Sequence, residues 1–252
     1  MRVFLILLGK ELRQFFFSPL AYVVLLLFML VNGVFFYATI TALTKATSGS
    51  SIVTWMFSTP WFYLLFFPFF PLITMRLIAE EQKLGTLETL MTAPVRTAQL
   101  VLSKYVAAFI FYVVLWVPSV ANLYIFQFVT TGAAEVPRGP LIGSYTIILL
   151  VGMLYLAMGL FASSLARNQI VAAVLSLSLI LLHYVVGMIT VYLSSARMLD
   201  LSEIITYIAT VQHMPVFTSG LIDTRQIVYY VSLAAFFLFL THQVLEFRRW
   251  KT

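Results

Sequence analysis

Six times along this chain, an apolar run long enough to cross a lipid bilayer gives way to a short polar or turn-forming stretch. A helix needs about 20 consecutive apolar residues to span the hydrocarbon. The runs fall at about 20–43, 61–79, 105–127, 142–165, 170–193 and 227–246. Composition agrees: of 252 residues, 62% are hydrophobic and 10% charged, where soluble domains are about half apolar and a quarter charged. The expected fold is an all-α integral membrane protein, a single transmembrane domain over 1–252 with six transmembrane helices.

The few charges orient the spans. With the N-terminus inside, the inner segments hold Arg2, Lys10, Arg13, Arg76, Lys83, Arg96, Lys104, Arg167, Arg248, Arg249 and Lys251, and the outer ones only Lys45, Arg138, Arg197 and Arg225. Excess basic charge on the inner side is the usual rule, so both termini are expected in the cytoplasm. The net charge of +6 is explained by residues flanking spans, and nucleic-acid binding is not expected. No small-residue cleavage site follows a short apolar core near the N-terminus, so a cleaved signal peptide is not expected either. Zero cysteines exclude disulfides, thiol catalysis and cysteine-based metal sites.

Ahead of the first span, Phe4, Leu8, Leu12, Phe15 and Phe16 lie near one helical face, with Lys10, Arg13 and Gln14 elsewhere. This pattern predicts an elbow helix in the inner interface. Ser18-Pro19 predicts an N-cap and first helical residue. Pro60, Pro68 and Pro71 fall on the second span, where prolines inside an apolar run remove backbone hydrogen bonds. A kinked or broken helix is expected, either as a packing feature or as a hinge. Between spans five and six, 194–226 predicts short interfacial or re-entrant helices, one near 199–211, with breaks near Pro215 and Gly220.

The one charge-dense stretch, 75–95, lies between spans two and three. The helix of span two is expected to continue past Arg76, with Arg76–Glu80 and Glu80–Lys83 at spacings where side chains meet. Gly85 can end it in a left-handed cap. Thr86 can cap a second short helix, 87–92, with Glu88 near its positive end and Pro94 beyond its close. The pair would present Leu84, Leu87, Leu90 and Met91 to a cytoplasmic partner; the alternative is a solvated loop resting on lipid.

Catalytic chemistry finds no constellation. Gly9-Lys10-Glu11 lacks the spacing of a phosphate-binding loop, and His183, His213 and His242 lack metal-binding spacing. No cofactor or metal is expected on this chain. Charged residues avoid the span interiors, which argues against an ion-driven transporter. Asn32, Asn122 and His183 are the polar residues left within spans, candidates either for packing hydrogen bonds or for a pathway. Gly159-x-x-x-Ser163 and Ala162-x-x-x-Ala166 allow close helix approach, at a dimer seam or internally. An intramembrane enzyme would need a catalytic pair that the sequence lacks, whereas a membrane scaffold would need only the loop.

Taken together, the residues resemble the permease subunit of an ABC-2-type transporter, nearest to its gliding-motility-type permease branch. The likeness is carried by Lys10-Glu11-Leu12 with Phe17-Ser18-Pro19-Leu20-Ala21-Tyr22; by 71–81, Gly85-Thr86-Leu87-Glu88 and Thr92-Ala93-Pro94-Val95; by 159–165 with Asn168-Gln169; by His213, Phe217 and 220–223; and by Glu246-x-Arg248-Arg249-Trp250. The resemblance implies a bacterial inner membrane location and a cytoplasmic ABC ATPase subunit in two copies, which would bind ATP and Mg. It also implies a second permease chain, identical or related. A periplasmic or substrate-recognition accessory protein is a further expected partner. By the same resemblance, Arg76, Glu80, Glu81, Gly85, Thr86, Leu87 and Glu88 would form the ATPase-coupling surface, and His213, Phe217, Gly220 and Asp223 would belong to an outer gate. Gln82-Lys83-Leu84 departs from the more charged stretch expected there.

Overall fold

A computed structural model describes residues 2–45, 52–92, 95–130, 136–195 and 207–249. The described residues form helices joined by turns, in the order α1 (Arg2–Phe16), α2 (Pro19–Lys45), α3 (Ile52–Ser58), α4 (Pro60–Phe66), α5 (Phe69–Thr74), α6 (Ala79–Lys83), α7 (Thr86–Thr92), α8 (Thr97–Val129), α9 (Arg138–Leu165), α10 (Gln169–Ser195), α11 (Thr210–Thr218) and α12 (Thr224–Arg249). Five of them, α2, α8, α9, α10 and α12, are long and apolar enough to cross a membrane. The expectations placed on Ala93, Pro94, Arg197, 199–206, Trp250 and Lys251 lie outside the described residues.

The second predicted span is not one of the five. Between Ile52 and Thr74 the chain runs as α3, α4 and α5, and the prolines explain the breaks. Pro60 opens α4 as a first-turn residue and Pro68 is the N-cap of α5. Pro71 falls in the first turn of α5, where a backbone N–H has no intrahelical acceptor to lose. The prolines therefore start new helices instead of removing bonds from one long one. The Tyr63 hydroxyl spans the first break by donating to the Phe57 carbonyl at 2.8 Å. Phe28 then packs on Phe66 and Trp116, at 4.9 Å from each ring, and Phe62 lies 4.7 Å from Phe66. Such edge-on and tilted aromatic contacts favour a fixed relative geometry of the pieces.

At the centre stands α9. Of its apolar window 72% is buried, against 22% for α2 and 17% for α12. Three glycines permit this by letting neighbours approach the backbone. A Cβ at Gly143 would overlap the Phe217 carbonyl, one at Gly152 the Tyr112 ring, and one at Gly159 the Thr74 side chain. The Gly159–Ser163 stripe is thus internal packing, and Ala162 and Ala166 are likewise buried within the chain.

Two ends of the bundle can be told apart. At one, Thr54 donates to the Thr218 carbonyl at 3.4 Å and Gly220 rests on Gly139 and Pro140. At the other, Gln82 and Arg248 both donate to the Ser164 carbonyl, at 3.1 and 2.8 Å, satisfying an acceptor left open at the C-terminus of α9. The 52–76 path runs from the first end to the second, where Arg76 donates to the Ser18 hydroxyl at 3.0 Å.

Candidate coupling site

The charge-dense stretch is built against this second end. The expected continuation of span two past Arg76 is not observed: the helix stops at Thr74, turns through 75–78, and restarts as α6. Ser163 causes the restart to hold. Its hydroxyl oxygen accepts from the Ile78 and Ala79 amides, both at 3.1 Å, and the hydroxyl lies 3.4 Å from the Met75 carbonyl that it donates to. A side chain of α9 thus caps α6, taking amides that have no intrahelical partner.

Glu80 and Glu81 occupy the first turn of α6, where carboxylates suit the positive end of the helix dipole. Their roles differ. Glu80 pairs with Arg76 at 3.4 Å on a half-buried face, as the spacing predicted; Lys83, expected to share Glu80, is exposed. Glu81 turns inward to the Lys104 ammonium at 2.9 Å. Lys104 also binds Glu11 at 3.0 Å, and Lys10 approaches Glu81 at 3.6 Å. Lys104 is 1% exposed and both carboxylates are buried. One ammonium therefore joins α1, α6 and α8. Phe15 of α1 stacks on Phe111 of α8 at 5.2 Å beside this cluster.

Gly85 follows with φ of 71°, the left-handed conformation that the cap requires. Thr86 departs from expectation. It is the first residue of α7, and its hydroxyl donates back to the Glu81 carbonyl at 3.4 Å. Of the apolar residues expected to face outward, Leu84 does so at 66% exposure, whereas Leu87 is buried and holds α7 to the body. Lys83, Leu84, Gly85, Thr86 and Glu88 form the exposed rim.

At the opposite end, His213 is buried and its Nδ1 pairs with the Tyr230 hydroxyl at 3.0 Å. Phe217 is also buried, beside Gly143. Gly220 has φ of 88° and ends α11. Pro215 lies inside that helix and does not break it. Asp223 accepts from the Arg225 amide at 2.9 Å at the start of α12. His183 pairs with Tyr155 at 3.3 Å and with Tyr229 at 2.8 Å, joining α9, α10 and α12. Asn32 is buried, and neither of its amide atoms has a partner among the described residues. It faces a cavity of about 250 Å³ that Ser119 and Asn122 also line.

Glu11, Lys104 and Ser163 were not expected at the site. Their signal was faint but present: Glu11 falls on the Phe4–Leu8–Phe15 stripe, and Lys104 among Leu100, Val101, Ala107 and Ala108, so each is a charge in an apolar register.

Long apolar helices around a buried α9, with a charged segment fastened to one end, define a multi-pass helical membrane protein. The family model described as ABC-2 family transporter protein matches residues 13–187, and the chain belongs to that family: it is a membrane-embedded permease subunit of the ABC transporter class, whose members work with a partner ATPase. No curated protein matches the chain.

Proposed function

We propose that the chain couples ATP hydrolysis by a separate ABC ATPase subunit to transmembrane transport, in the export direction, of a substrate that the sequence does not name. The observation that carries this reading is the pairing of an exposed rim, 83–88, with a buried anchor, Glu11–Lys104–Glu81, directly beneath it. A force applied to the rim reaches α1, α8 and α9 without passing through a flexible loop. In this reading the 52–76 path is a sixth crossing and α1 is the elbow. The chain sits in a bacterial inner membrane with both termini cytoplasmic, and two ATPase copies carry ATP and Mg. A second permease chain, identical or related, completes the path, and a periplasmic or substrate-recognition accessory protein remains a further partner. The segment from His213 to Asp223 forms the outer gate. Within the family, the sequence likeness points to the gliding-motility-type permease branch.

The rim gives the test. Leu84→Asp and Glu88→Lys change exposed residues, so the chain should still purify as a folded complex. ATP hydrolysis by the reconstituted permease–ATPase complex should lose its stimulation by the permease, because a new charge and a reversed one now face the ATPase. Stimulation at the unchanged level in both variants would overturn coupling through the rim. ATP hydrolysis that never responds to the wild-type permease would favour a scaffold.

A further inference from the structure

A second cavity of about 250 Å³ opens between α1, α2 and the 72–80 stretch. Its floor is apolar, formed by Ala21, Val24, Ile73 and Phe111, and its wall carries Ser18, Arg76 and Glu80. Pro19 begins an apolar membrane-length helix, so Ser18 and its partner Arg76 sit where hydrocarbon meets headgroups. Exposed Leu5 and Ile6 on the neighbouring α1, and Phe17 in the turn after it, suit the same depth.

Arg76 is incompletely satisfied. One guanidinium nitrogen donates to Ser18, but the buried Nε lies 3.4 Å from Glu80 without hydrogen-bond geometry and has no acceptor among the described residues. That Nε is sealed against the Glu80 carboxylate, but the Arg76 side chain as a whole is 35% exposed where it lines the cleft, so its remaining N–H groups can meet an anionic oxygen while Glu80 beside it takes a cationic donor. An apolar floor, an open guanidinium and an adjacent carboxylate match a phosphate followed by a primary ammonium on an acyl-chain carrier. We propose that this cleft binds an aminophospholipid of the phosphatidylethanolamine class, with its phosphate on Arg76, its ammonium at Glu80 and the upper part of an acyl chain on the Ala21–Phe111 floor. The cavity falls below the roughly 300–1,000 Å³ that drug-sized ligands fill, which suits a headgroup and the first methylenes, with the remaining chain in the bilayer. A trimethylated headgroup has no N–H for Glu80. A glycerol headgroup carries the same single phosphate charge but no ammonium to answer Glu80 and Glu11, both of which line the cleft.

The inference depends on membrane embedding and not on ATPase coupling, so it is tested on the purified full chain alone. The chain is equilibrated in mixed micelles holding equimolar phosphatidylethanolamine, phosphatidylglycerol and phosphatidylcholine, and retained lipid is read by native mass spectrometry. Phosphatidylethanolamine should dominate. Glu80→Gln should reduce its retention about tenfold, the weight of one charge-assisted hydrogen bond, and Ala21→Phe should do the same by filling the floor. Soluble phosphoethanolamine at the lipid's concentration should not displace it. Equal retention of the three lipids, preference for phosphatidylglycerol, or displacement by the soluble headgroup would each overturn the assignment. If Ala21→Phe fails to fold, Glu80→Gln decides alone: unchanged phosphatidylethanolamine retention in that variant sinks the proposal.

Discussion

Lys104 holds two carboxylates in a place where none of the three charges meets much water. A buried ion pair adds little stability over a well-packed apolar replacement, yet removing one partner costs about 3–5 kcal/mol because a charge is left buried and unpaired. Lys104→Met should therefore lower the midpoint of heat-induced aggregation, followed by fluorescence-detected size exclusion, far more than replacing exposed Lys83 by methionine does. Replacing Glu11, Glu81 and Lys104 together by apolar residues should recover most of that loss. A Lys104→Met chain as heat-stable as the wild type would contradict the burial described. Ser163→Ala makes a separate prediction: two amides, of Ile78 and Ala79, lose their acceptor, at about 1–3 kcal/mol for each buried group left open. Amide exchange across 78–83 should accelerate while that of α9 stays slow. Glu11 and Lys104 were each legible as misplaced charges, since both interrupt apolar stripes. Their union was not, because 93 residues separate them and one sequence carries no sign of which distant charge meets which.

Elements obey local rules more closely than long-range ones. Gly85 was readable as a left-handed cap because few other residues take that backbone without strain, and the prolines announced a broken crossing. Where each piece would begin depended on Pro60, Pro68 and Pro71 all finding helix-start positions, which is a property of packing against Phe28 and Trp116. Thr86 misled for a similar reason. Its hydroxyl was within reach of the Glu81 carbonyl, and that bond won over capping α7. The glycines of α9 separate into a graded test. Gly143→Ala places a Cβ onto the Phe217 carbonyl, so backbone must move and the melting midpoint should fall. Gly9→Ala meets nothing within 4 Å and removes a helix-interior glycine, so it should stabilise by about 0.5–1 kcal/mol. If both substitutions shift stability in the same direction, the close approach of α11 to α9 is not as described.

At the scale of the whole molecule, the Leu84 rim and the Leu221 turn lie at opposite ends of α9. The chain has no cysteine, so a single introduced thiol reports without background. In intact cells, Leu221→Cys should react with a membrane-impermeant maleimide, and Leu84→Cys should react only after permeabilisation. Labelling of both from one side would refute the 52–76 path as a crossing and the orientation with it. The buried cluster also sets an order of events during synthesis. Glu11 leaves the ribosome long before Lys104, and until α8 is inserted its carboxylate has no ammonium to neutralise it. If 52–76 crosses as proposed, closure of that triad marks the moment when the N-terminal half of the protein has been threaded with that topology. A chain in which that stretch slipped out of the bilayer would then leave Glu11 on the leaflet opposite Glu81 and Lys104, with its carboxylate unpaired.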